Sequence, residues 1–231
     1  MNQGGLDAKK IMYTNKYFNI IIVLLLIVSL TGNSQEKESD SIVTPFRKGR
    51  WFTGLSGSIN SSTIKLQSTG ENTSTNEFGI NLITGKFIKD RFLIGGTLTL
   101  NRSNNSGIVE RTSENIFIAP LVSYFISKNK QGSLFFQLAP GYVRYKDETR
   151  IEQADSFVQQ LGEGGGFGSL VGIGYSYAFF DLVTFDLGLK LNLLWINVDQ
   201  EALPANTVTS EDIFISNISF SFGFNILVDQ F

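Results

Sequence analysis

From Ile218 to Val228 the apolar residues fall on every second position: Ile218, Phe220, Phe222, Phe224, Ile226 and Val228. Between them stand Ser219, Ser221, Gly223 and Asn225. Side chains alternate across a β-strand, so this stretch predicts a strand with one oily face and one small or polar face. The same period recurs upstream. Trp51–Asn60 sets Trp51, Thr53, Leu55 and Ile59 against Gly54, Ser56, Ser58 and Asn60. Asn76–Phe87 sets Phe78, Ile80 and Leu82 against Glu77, Gly79 and Asn81, and Arg91–Arg102 sets Phe92, Ile94, Leu98 and Leu100 against Gly95, Thr97, Thr99 and Asn101. Ser113–Ile126 alternates poorly, because Phe117 and Leu121 share the face expected to be polar. Ser133–Tyr145, Gly166–Phe180 and Val183–Asn197 complete the series. In the last of these, Phe185, Leu187, Leu189, Leu191, Leu193 and Trp195 oppose Asp186, Gly188, Lys190 and Asn192.

With the segment Ile213–Phe231 this makes eight strands. Four long polar connections are expected, at 61–75, 103–112, 146–165 and 198–210, and they alternate with three short ones near Asp90, at 127–132 and near Asp181. In a meander every other connection lies at the same end, so the long loops gather at one end and the tight turns at the other. An even strand number puts both chain ends at the turn end. The expected fold class is all-β: an eight-stranded antiparallel up-and-down transmembrane β-barrel.

Which face is apolar decides the environment. Eight strands enclose only enough room for side chains or one small ligand. The large residues of the last three strands exceed that room, whereas Gly, Ser, Ala and Asn fit it. The bulky face is therefore expected outward, where hydrocarbon is the solvent that favours it. A sheet in lipid must pair its backbone groups by closing on itself. Trp51, Phe92, Tyr124, Phe179 and Phe185 toward the turn end, and Tyr142 and Trp195 toward the loop end, are placed for two interfacial girdles.

The first residues add a targeting segment. Lys9, Lys10 and Lys16 precede the apolar run Ile20–Leu30, and Gly32 and Ser34 precede Gln35. A basic region, a short apolar run and a small-residue exit read as a secretory signal peptide over 1–34, with Met12 an alternative start. Residues 35–49 read as a polar, flexible lead-in, and 50–231 as the barrel domain.

Composition narrows the chemistry. The chain has no Cys and no His, and a net charge of -2. That excludes disulfides, thiolate chemistry and His-based acid–base catalysis, and leaves no electrostatic case for nucleic-acid binding. The run Gly162–Gly168 fits neither dinucleotide nor phosphate-loop spacing, and reads as a loop entering a strand. Asp186 and Lys190, with Glu77 and Asn81, are expected to form an interior charge network that fills and stiffens the barrel. The mixed-charge stretch 146–155 reads as a solvated loop. Arg102 and Arg144, at the loop ends of their strands, are placed to meet lipopolysaccharide phosphates. No catalytic, cofactor-binding or metal-ligating residue is predicted.

Taken together, the leader, the loop rhythm, the Pro120–Tyr124–Phe125 stretch before a turn and the terminal Phe231 resemble the small eight-stranded outer-membrane barrels of the OmpX and OmpA-transmembrane-domain type. The resemblance covers about residues 50–231. One departure is that Val228 and Phe231 stand in opposite phases. Either a bulge near Asp229 restores the register or the assembly signal is weaker than usual. The resemblance implies location in the Gram-negative outer membrane, contact with outer-membrane lipid and lipopolysaccharide, and insertion by the barrel-assembly machinery; a monomer is expected. The expected function is non-enzymatic: envelope integrity, adhesion or another surface interaction. A soluble lipocalin-like binding barrel and a narrow channel or carrier are the alternatives.

Overall fold

The computed structural model describes residues 44–66, 72–105, 109–153, 156–203 and 207–229. Eight strands follow one another: β1 (Trp51–Leu66), β2 (Asn72–Lys89), β3 (Phe92–Asn105), β4 (Val109–Phe125), β5 (Gly132–Gln153), β6 (Ser156–Phe179), β7 (Val183–Leu203) and β8 (Thr207–Val228). Each pairs antiparallel with the next. β8 returns to β1 along a ladder from Trp51↔Val228 to Leu66↔Ile213, which closes the barrel. Through the apolar band each strand is flanked by a paired neighbour on both sides, as a sheet in hydrocarbon requires.

The orientation expected from the sequence is the one found. Phe222, Leu189 and Ile173 are 44%, 51% and 56% exposed on the outer wall. Their neighbours Ser221, Ser219 and Lys190 are buried inside. On β7 the outward residues run from Phe185 to Trp195. Ten residues at ~3.3 Å each, tilted by about 40°, make a band roughly 25 Å tall, the height of the apolar belt of a membrane barrel. Aromatic rings border it. Phe167, Trp195 and Phe214 are neighbours at one rim, with ring centroids 6.1 and 5.3 Å apart. At the other rim, Tyr177 and Phe179, and Phe185 and Phe224, lie 4.8 and 4.9 Å apart.

Most described residues of the expected long loops instead continue the strands. β5 and β6 stay paired as far as Gln153↔Ser156, and β7 and β8 as far as Ala202↔Thr207. Backbone hydrogen bonds persist in these hairpins, but at 199–203 and 207–212 both faces are open to water, so the period-2 apolar signal that marks a half-buried strand is lost. The asymmetry between ends thus lies in strand overhang. It is also uneven around the ring. β3 has 14 residues and β6 has 24, roughly 35 Å against roughly 60 Å along the axis.

Tight turns occupy the opposite end. At β6–β7, where residues 180–182 join the strands, Phe180 and Asp181 both have positive φ, 51° and 61°, as the central pair of a type I′ turn requires, and Leu182 N donates to Phe179 O at 3.3 Å. Pro120 and Pro140 face each other across β4 and β5, where the ladder lapses between Ile118↔Tyr142 and Val122↔Leu138. A proline has no N–H to contribute to a ladder.

Candidate functional site

Inside the wall, β4 explains its own irregular pattern. Phe117 and Leu121 point inward and are buried. The interior is apolar at two levels and polar between them. Toward the turns, Phe52 (β1), Phe87 (β2), Phe125 (β4) and Phe135 (β5) form a cluster of rings with centroids 5.5–6.3 Å apart. Toward the hairpins, Phe117, Val143, Leu170, Leu194, Ile196 and Ile215 line the inner face. The glycine run belongs here. Gly162–Gly168 lies within the β6 ladder, not in a loop. A Cβ on Gly168 would stand 2.8 Å from both the Phe117 ring and a Leu194 methyl, so its absence lets those side chains lie against the strand.

The polar middle holds the predicted network. Lys190 Nζ donates to Asn81 Oδ1 at 3.0 Å and to Ser56 Oγ at 3.5 Å. Asn81 Nδ2 lies 2.7 Å from the hydroxyls of both Thr97 and Thr99. Asp186 accepts from Ser176 and from Thr184, and Thr184 Oγ1 accepts from Asn225 Nδ2 at 2.9 Å. A buried charge is tolerable only when neighbouring dipoles replace its hydration, and hydroxyls and amides do so here. Glu77 is buried on the same face, two inward positions nearer the hairpins. The space left between Lys190, Asp186 and Gln137 is about 10 Å³, room for about one water molecule.

At the hairpin mouth, Arg111 grips Asp147 with two bonds of 3.0 and 3.2 Å. Gln160 donates to Gln200 at 2.9 Å beside them, over a cavity of about 40 Å³ floored by Val198 and Ile213. The stretch 146–153, expected as a loop, is the upper part of β5. On the outer rim, Arg102 lies 3.4 Å from Glu114, and Glu163 takes both Lys146 and Arg144, at 2.5 and 3.8 Å. Arg102 and Arg144 are therefore on the outside, at the upper border of the apolar band, within ion pairs.

The turn end holds what sequence reading missed. Residues 44–49, expected as part of a flexible lead-in, cross the barrel mouth. Phe46 is 0% exposed, and its ring stacks on Phe125 at 4.1 Å. The Phe46 carbonyl accepts from Arg91 N at 2.6 Å, Gly49 N donates to Phe87 O at 2.8 Å, and Lys48 N donates to Asp90 Oδ1 at 2.7 Å. Arg50, 1% exposed, grips Asp229 through Nε and Nη2 at 2.8 and 3.0 Å. Its Nη1 reaches the Asp181 carbonyl and carboxylate at 2.7 and 3.1 Å. Arg47 bonds the same two carboxylates at 2.9 and 2.8 Å. Hydrogen bonding from Arg50, with the charges of both arginines, holds the Asp229 carboxyl below the usual carboxylate range. The available signal was a lone phenylalanine inside a polar stretch, followed by two arginines. The question of a bulge restoring the phase of Phe231 lies outside the described residues. Asp229 is engaged in the ion pairs above.

A closed eight-stranded ring, an oily outer wall, a side-chain-filled interior and turns opposite long hairpins define the small outer-membrane β-barrel class. The chain is similar to several solved structures. The outer membrane protein OprG from Pseudomonas aeruginosa matches over 81% of this chain and 100% of its own, with 11% identity and a TM-score of 0.52. Neisserial surface protein A is similar over 78% and 99%, at 15% identity and 0.48. The outer membrane protease OmpT from Escherichia coli is similar over 84% and 100%, at 10% identity and 0.43. No family model and no curated protein sequence matches the chain.

Proposed function

We propose that this chain is a non-enzymatic protein integral to the outer membrane, a filled barrel that anchors extended β-hairpins at the cell surface for envelope integrity or surface contact. The observation that carries this reading is the interior. Phenylalanines stop the turn end, the Lys190–Asn81–Thr97–Thr99 network spans the middle, and aliphatic side chains fill the level above. A filled cylinder serves as an anchor and leaves the hairpins to meet the surroundings. The lack of histidine removes the usual proton-transfer base. The rim of Arg102, Arg144 and Lys146 with Glu114 and Glu163 suits the headgroup level, where lipopolysaccharide phosphates compete for the arginines.

Reconstitution into planar bilayers tests the filled interior. A folded preparation is identified by a gel mobility that changes on boiling. It is expected to give no steady current above the bare membrane. A stable unitary conductance from that preparation overturns the proposal in favour of a channel.

A further inference from the structure

The segment Thr44–Arg50 uses partners from three separate places: the β2–β3 turn, the β6–β7 turn and the residue that follows β8. Those places are brought together only by the closed ring, because Arg50 and Asp229 lie 179 residues apart and Arg50 and Asp181 lie 131 apart. The segment is not a strand of the sheet. Its grip combines one buried ring with arginine–carboxylate pairs whose carboxylates are half-open to water, at 45% and 49%. Phe46 sits below Phe125 and covers the ring cluster from the turn side. On the rung of Phe87 and Leu93, one inward position above Phe125, Ser123 is wholly buried and its hydroxyl has no partner.

We propose that Thr44–Arg50 is a stopper for the turn-side mouth, seated after β8 has paired with β1 and held by the Arg47/Arg50–Asp181/Asp229 clasp, and that this stopper controls access from that side to the lower barrel interior. The clasp has a second effect. Arg50 immediately precedes β1 and Asp229 immediately follows β8, so their bidentate pair continues the closing ladder one step beyond Trp51↔Val228. The stopper and the seam therefore share one fastening.

The chain has no cysteine, so a single introduced thiol reports access without background. Ser123→Cys in the full chain, folded into phospholipid vesicles, is exposed to a membrane-impermeant cationic methanethiosulfonate from one side at a time. Folding of each sample is verified by its heat-modifiable gel band. With the stopper intact, labelling is slow from both sides. In the Phe46→Ala background, labelling from the turn side is expected to rise by about tenfold or more, with the hairpin side unchanged. The Asp181→Asn/Asp229→Asn background removes no ring and weakens only the fastening that holds Phe46 in its seat. It is expected to give the same one-sided rise, and it decides the matter if Phe46→Ala does not fold. Labelling that is equally slow with and without these changes overturns the proposal. So does a rise that is equal from both sides, which marks general loosening of the wall rather than an unseated stopper.

Discussion

Leu189 stands near the middle of the outward band on β7, about 10 Å above Phe185 and about 15 Å below Trp195 at ~3.3 Å per residue and ~40° tilt. Leu189→Arg places a guanidinium there with no interior partner in reach. In hydrocarbon such a cation costs about 2–4 kcal/mol at the midplane, falling to about 0–1 near the interfaces. On a water-facing wall the same change is worth no more than about 0.5 kcal/mol. The comparison variant is Val228→Arg, also outward but on the last rung beside Trp51. The expected difference between the two, about 2–3 kcal/mol, corresponds to a factor of roughly 30–150 in the folded-to-unfolded ratio. Guanidinium titration in phospholipid vesicles, followed by the fluorescence of Trp51 and Trp195, measures both variants against the parent. A Leu189→Arg cost below about 0.5 kcal/mol, or equal costs at the two depths, refutes the outward-facing membrane wall.

Two further outcomes follow from the turn end. Phe125→Ala removes a fully buried ring from contact range of Phe46, Phe52, Phe87 and Phe135, and is expected to lower unfolding stability by about 3–5 kcal/mol in the same titration. Asp229 has its carboxyl held below the ordinary range, so the stability it contributes is present above the unfolded carboxylate value of about 3.9 and is lost as pH falls through its lower folded value. The stability gap between the parent and Asp229→Asn is therefore expected to stay constant from pH 7 to about 5 and to shrink below about 4; a gap independent of pH down to 2.5 contradicts the ion pairing.

The number of strands, their order and the direction of the wall were legible because a membrane barrel writes them in alternation. Phe220, Phe222 and Phe224 cannot share an eight-stranded lumen with Leu187, Leu189 and Leu191. Strand ends were not legible. Above the band, stretches such as 199–203 and 207–211 have water on both faces, so hydrogen bonding continues where the apolar signal has stopped. The interior network was half legible. Asp186, Lys190 and Asn81 share the inner face by parity. Parity does not say that Lys190 reaches across the lumen to Asn81, 109 residues away, while Asp186 turns to Ser176 on the adjacent strand. Phe117 and Leu121 read as a flaw in β4 because a uniformly polar lumen was assumed. The stopper stayed hidden because its partners, Asp181 and Asp229, are joined to it only by closure of the ring.

The unequal strand lengths give the outward-facing rim a high side and a low side. β5 to β8 stand as a crescent parapet, while β1 to β4 end closer to the lipid headgroups. A rigid body approaching that rim along the barrel axis meets β5 to β8 first. The rotation of the cylinder about its own axis therefore sets the direction in which its taller side faces.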